Sequence, residues 1–237
     1  MVKRRPLVPL LVLLVLGGIW AFLAIANEVR EDETRHFDEA TLLAMRVPGD
    51  PSDPVGSPRV EEMARDLTAL GGFTLLSGVT LIAVGVAVFA GRGKLALLAV
   101  ISVLVGMAVM NQLKQGYDRP RPDLVEHATL VHNASFPSGH SMMAAMIYLT
   151  IGILIARTQP RKRVRGFVIA ISVIITLLVG ISRVYLGAHW PTDVLAGWAL
   201  GGAWAVAFWL VSMKVDPRLS SELPANGSDQ GEEVDPA

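Results

Sequence analysis

Six stretches of this chain carry no aspartate, glutamate, lysine or arginine, and each approaches the length that a helix needs to cross a bilayer. They cover residues 6–26, 67–90, 95–113, 138–156, 166–182 and 194–213. A hydrocarbon core of about 30 Å takes about 20 apolar residues in helix, whereas barrel strands alternate in segments of about ten. The runs therefore predict an all-α, polytopic membrane protein, a bundle of six transmembrane helices. The fifth helix is expected to run on toward residue 185 and the sixth to start near 191. At 52% hydrophobic residues the chain is too apolar for an ordinary soluble domain. It has no cysteine, which excludes a disulfide framework, a thiolate metal site and a thiol nucleophile.

The first run also has the layout of a signal peptide, with VKRR before it and AIA ahead of Asn27. Its length exceeds the 7 to 15 apolar residues typical of a cleaved leader, which favours a retained anchor. Either outcome leaves Asn27 outside. Orientation follows from lysine and arginine in the short loops. Lys3, Arg4 and Arg5 precede the first run, Arg92 and Lys94 separate the second and third, and Arg157, Arg161, Lys162, Arg163 and Arg165 follow the fourth. These belong in the cytoplasm. Residues 27–66, with eleven acidic and five basic side chains, form an acidic loop that belongs outside. Segments 114–137 and 183–193 join it by alternation. Residues 214–237 are polar and read as a disordered cytoplasmic tail.

Alternation thus gathers Lys114, Arg121, His140, Arg183, His189 and Asp193 at one membrane–water boundary. Taken singly, each has a plainer role: a cation at a span end anchors lipid headgroups, and Ser138 can simply cap a helix. Together, three cations beside two histidines and a carboxylate make an anion site with its own acid and base.

Three spaced motifs carry a resemblance. Lys114 is followed after six residues by Arg121 and Pro122; residues 137–140 read PSGH; Ser182 and Arg183 are followed by His189 and then Asp193. The chain resembles the type 2 phosphatidic acid phosphatase family of membrane lipid phosphatases, in which these motifs occur in this order. No motif position departs from the pattern. The resemblance implies the bundle described above with an active site at its outer boundary, and a phosphatase that works through a phosphohistidine. His189 would attack phosphorus, His140 would protonate the departing oxygen, and Asp193 would orient His189. Lys114, Arg121, Ser138, Gly139 and Arg183 would bind the phosphate.

Elementary chemistry agrees with these assignments. Phosphoryl transfer depends mostly on positioning and on donors already in place around the equatorial oxygens. Arginine can fork onto two phosphate oxygens, while lysine acts as a point charge. Ser138 and Gly139 fall where a loop becomes a helix, so their free N–H groups and the helix dipole could face an anion. Asp193 lies one helical turn beyond His189. Arg119 also precedes a proline but lacks the family spacing, and is expected at the rim.

No cofactor and no metal are expected: the cations come from side chains, and no acidic cluster suggests magnesium. His127 and His132 read as surface residues rather than zinc ligands. The expected partners are a phosphorylated membrane lipid and the bilayer, with no nucleic acid. Undecaprenyl diphosphate and phosphatidylglycerol phosphate are the leading substrates, and phosphatidic acid is a third, in a bacterial cytoplasmic membrane. Two other readings stand beside this one. A related pocket occurs in vanadate-dependent haloperoxidases, which are soluble, and a member of such a family could bind or transport lipid phosphate without catalysis.

Overall fold

The computed structural model describes residues 7–124 and 134–216. The basic residues 3–5, His127, His132 and the tail from 217 onward lie outside the described residues. In chain order the described residues form α1 (Leu7–Arg30), α2 (Arg35–Leu43), an antiparallel hairpin of β1 (Arg46–Val47) and β2 (Asp50–Pro54), α3 (Pro58–Ala69), α4 (Phe73–Phe89), α5 (Gly93–Tyr117), α6 (Gly139–Thr158), α7 (Lys162–Tyr185) and α8 (Pro191–Val215).

Helices α1, α5, α6, α7 and α8 are each long and apolar enough to cross a bilayer. The sixth crossing is built differently. The uncharged run 67–90 is divided between α3 and α4, which meet at 46° across a short break and pass as a span only as a pair. Its physical cause is the Gly71–Gly72 pair, which forfeits helix propensity where the chain turns. Proline in the first turn starts α3, which is amphipathic and buries Ala64 and Thr68 while exposing Val60 and Met63. The 17 residues of α4 reach about 25 Å at 1.5 Å per residue, close to the hydrocarbon thickness.

Helix α8 forms the centre, packed by α6 on one side and α1 on another, with α7 against α6 and α3 against α7. Small residues let α6 and α8 approach backbone to backbone. A methyl group added at Gly197 would lie 2.9 Å from the Ser138 carbonyl oxygen, and one at Gly201 would sit on the Met142 carbonyl. Helix α1 inserts Phe22 and Ala26 into a cluster with Phe136 and Ala196, so the first run is part of the bundle. Around the outside, Leu13 and Trp20 of α1, Leu81 and Phe89 of α4, Leu104 of α5 and Phe167 of α7 are exposed. Such a continuous apolar exterior is what a bilayer covers.

The acidic segment 27–66 is ordered into α2, the hairpin and α3, closed over one end of the bundle. Arg46 ties the hairpin down by donating to the Tyr185 carbonyl (3.0 Å), and the Tyr185 hydroxyl donates to the Val55 carbonyl (3.0 Å). Asp38 of α2 is completely buried.

Candidate active site

The motif residues arrive at this covered end from four helices. Lys114 is in the last turn of α5, His140 is the second residue of α6, Arg183 is in the last turn of α7, and His189 lies two residues before α8, with Asp193 in the first turn of α8. Arg121 comes from the segment that leaves α5. Lys114, Arg121, Gly139, His140, Arg183 and His189 line one cavity of about 580 Å³. Among the described residues no acidic side chain lines it. Away from the cations its wall is apolar, built from α4, α5 and α6 by residues such as Leu76, Met107 and Met143.

The cations are poised around open space. Arg183 is buried, donates from Nη1 to the Thr68 hydroxyl (3.0 Å), and keeps a buried Nε without a partner among the described residues. A buried donor left unmatched is costly unless something else accepts from it, and an anion in the cavity would. Lys114 Nζ donates to the Ala134 carbonyl at 2.6 Å and retains further donors. Arg121 Nη1 donates to the Ala188 carbonyl (2.5 Å) and lies 3.3 Å from His189 Nε2. Burial lowers the Arg121 guanidinium from its ordinary value, and Asp193 opposes that shift.

His189 presents Nε2 to the cavity side, next to Arg121, and Nδ1 to the protein. Asp193 Oδ2 lies 3.4 Å from Nδ1, and the Ser135 hydroxyl, 3.3 Å from Nδ1, donates to the same Oδ2 at 2.5 Å. The carboxylate therefore acts on the ring at ion-pair range with a serine hydroxyl alongside. Burial pulls the imidazole down to about 4; Asp193 opposes this, while Arg183 and Arg121 add to it. The net shift favours the uncharged ring.

Two positions differ from the sequence reading. Arg119 is not at the rim: its side chain is 12% exposed, and it donates to Asp193 Oδ1 (2.7 Å) and Asp38 Oδ2 (2.7 Å). The spacing rule that set it aside carried no information about the buried carboxylates it would meet. Ser138 is fully buried and its N–H is taken by the Asp193 carbonyl at 3.0 Å, so that N–H does not point at an anion. Its hydroxyl instead accepts from the Ser141 N–H (3.4 Å) and the Ser141 hydroxyl (2.9 Å), capping α6. Gly139, the next residue, does line the cavity and brings the positive end of α6 to it. Asp193 stands behind His189 and outside the lining. Sequence reasoning missed Ser135, Asp38 and Thr68 altogether. The only signal for Asp38 was an acidic residue at an apolar helix face, which is invisible until the helix has a partner.

A bundle of membrane-spanning helices that ends in a cationic cavity with two histidines is suited to a membrane phosphatase. The chain belongs to the PAP2 superfamily, whose family model matches residues 95–216. It is 35% identical over 184 residues to phosphatidylglycerophosphatase B of Bacillus subtilis (strain 168), covering 76% of this chain and 85% of that protein. A shorter match, 42% identical over 67 residues and 28% of each chain, is to an undecaprenyl-diphosphatase of Sulfolobus acidocaldarius. The crystal structure of a transmembrane PAP2 type phosphatidylglycerolphosphate phosphatase from Bacillus subtilis shares the fold with a TM-score of 0.76 at 29% identity, over 85% of this chain and 97% of that one.

Proposed function

We propose that this phosphatase removes the terminal phosphate from membrane lipids without a metal, through a phosphohistidine at His189, with undecaprenyl diphosphate or phosphatidylglycerol phosphate as its leading substrates and phosphatidic acid as a third. The observation that carries this reading is the continuity of one cavity. Its cationic end holds Lys114, Arg121 and Arg183, and its apolar wall runs along α4, α5 and α6. A headgroup phosphate fits the first while its chains follow the second.

His189 Nε2 forms the bond to phosphorus as the bond from phosphorus to the lipid oxygen breaks. His140 gives its proton to that oxygen. Water, deprotonated by His140, then attacks phosphorus, the P–N bond breaks, and inorganic phosphate leaves with His189 restored. The three cations and Gly139 at the start of α6 stabilise the charge on the equatorial oxygens throughout. We place the protein in a bacterial cytoplasmic membrane with both termini inside and this cavity facing out.

The test is release of inorganic phosphate from a panel of pure lipid phosphates and polyprenyl diphosphates in detergent. Activity is expected on at least one of the leading substrates, to survive EDTA, and to be inhibited by vanadate, which mimics the trigonal-bipyramidal phosphoryl group. Loss of activity on chelation that magnesium restores would overturn the metal-free mechanism, and binding of these lipids without phosphate release would favour a non-catalytic role.

A further inference from the structure

Behind His189 lies an assembly that the mechanism above does not use. Asp193 accepts three hydrogen bonds besides its contact with the imidazole: from Arg119 Nη1 (2.7 Å), the Ser135 hydroxyl (2.5 Å) and the Trp190 N–H (2.9 Å). Arg119 Nη1 also donates to the Thr192 hydroxyl (2.9 Å), and Nη2 bridges to Asp38 Oδ2 (2.7 Å) and the Thr34 hydroxyl (3.2 Å). Asp38 in turn accepts from the Thr192 N–H (2.9 Å) and the Thr192 hydroxyl (2.7 Å), at the start of α8. The side chains of Asp38 and Asp193 are 1% and 0% exposed.

As a stitch between α2 and α8 this would be a poor device. A buried carboxylate–guanidinium–carboxylate row costs more desolvation than well-packed apolar residues of similar volume, and is weak evidence for stability. Its geometry is better matched to control of the carboxylate. The bridging fork fixes the plane of Asp193, and the guanidinium shares its negative charge.

We propose that Arg119 and Asp38 form a positioning couple for the attacking histidine: Arg119 holds and partly neutralises Asp193, and Asp38 fixes Arg119 to the first turn of α8. The proposal rests on the reading that His189 attacks phosphorus. Neither residue touches the substrate cavity, so they act through Asp193.

The couple has a pH signature. His189 is faced by Asp193 from α8, Arg183 from α7, His140 from α6, Lys114 from α5 and Arg121 from the segment after α5, with Ser135 beside its Nδ1. Among these, Asp193 is the group that favours the protonated ring. Removing the Arg119 charge frees Asp193 to pull harder, so the imidazole must bind a proton at higher pH. A protonated ring has no lone pair on Nε2. Activity is then lost on the acid side and returns as pH rises.

The experiment is kcat/KM against pH for the full-length protein in detergent, which reports groups of the free enzyme. Wild type, Arg119→Gln, Arg119→Lys and Asp38→Asn are compared on one aryl phosphate, so ionisation of the substrate cancels. In Arg119→Gln the acid limb is expected to rise by about one pH unit, a tenfold loss at its foot, with a much smaller loss at pH 8. Arg119→Lys keeps the charge and is expected to hold the limb near the wild-type position, while its maximum falls several-fold because a point charge cannot bridge both carboxylates. Asp38→Asn leaves Arg119 uncompensated and should not raise the limb.

Profiles of both Arg119 variants that superimpose on wild type after scaling would overturn the proposal and leave only a structural role. If Arg119→Gln does not fold, a raised limb in Asp38→Asn or in Arg119→Lys would overturn it equally. His189→Asn serves as the separate control: measurable kcat/KM in that variant defeats the nucleophile itself, whereas an inactive His189→Asn beside unshifted Arg119 profiles defeats the couple alone.

Discussion

His140 and His189 reach the cavity from the starts of two different helices, α6 and α8, and the proposed roles separate them by what the leaving oxygen requires. A lipid alkoxide leaves poorly without a proton, whereas an aryl oxide needs it far less. His140→Asn is therefore expected to keep much more of its first-step rate on an aryl phosphate than on phosphatidic acid, and its dependence on leaving-group pKa should steepen. Rapid-quench measurement of phenol release checks this, and equal losses on both esters would defeat the acid assignment. Removing Arg121 or Arg183 as alanine should cost about 10²-fold or more in kcat, by comparison with removal of a single oxyanion donor. Unchanged turnover in either variant would mean that the phosphate binds elsewhere. At this scale the motif residues were legible because their spacing along the chain is itself the signal. Their supports were not: Ser135 meets Asp193 across 58 residues, Arg119 meets Asp38 across 81, and Arg183 meets Thr68 across 115. A contact at such separation leaves no local pattern. It is decided by how the helices pack.

At the scale of elements, the joint between α3 and α4 does more than bend a span. The Tyr148 hydroxyl of α6 donates to the Leu70 carbonyl at 2.7 Å, Thr68 accepts from Arg183, and Gly71 lies against His140. The joint thus forms the wall on which the proposed acid rests. A methyl group at Gly71 would sit 2.5 Å from Val179 Cγ1 and 3.2 Å from both Cβ and Cδ2 of His140, so one of them must move. Gly71→Ala is expected to destabilise the fold by about 1–3 kcal/mol through overpacking. It should also lower kcat on lipid substrates by about tenfold, since displacement of a catalytic group by even about 1 Å is expensive. Gly78→Ala in α4 is the matched control, because an added methyl group there meets nothing within 4 Å. Thermal unfolding and turnover in detergent check both variants, and equal activity in the two would show that the joint does not position His140. This element was only half visible in the sequence. Residues 67–72 carry no charge and merged with the apolar run that follows, although the paired glycines marked where the helix could not continue.

For the whole molecule, the long helices were legible because a bilayer imposes both their length and their lack of charge; the folding of segment 27–66 was not, because its polar helices are held by tertiary contacts such as those of Asp38. The arrangement sharpens the question of which end faces which side. Arg92, between α4 and α5, lies 3.7 Å from Asp216 at the end of α8, and Arg157 at the end of α6 stacks on Trp209 at 5.3 Å. The basic turns and the C-terminal end of α8 therefore share one end of the bundle, opposite the cavity. Lysine and arginine in short loops remain on the cytoplasmic side, so that end is proposed to face the cytoplasm and the cavity to face out. The chain contains no cysteine, so single introduced thiols report without background. Asp53 in β2 and Arg161 between α6 and α7 are both exposed, which makes Asp53→Cys and Arg161→Cys suitable probes. A membrane-impermeant maleimide added to intact cells or spheroplasts should label the first and spare the second, and permeabilisation should expose both. Labelling of Arg161→Cys alone in intact cells would invert the topology, and would place the cavity where lipid phosphates of the inner leaflet, rather than the outer, could reach His189.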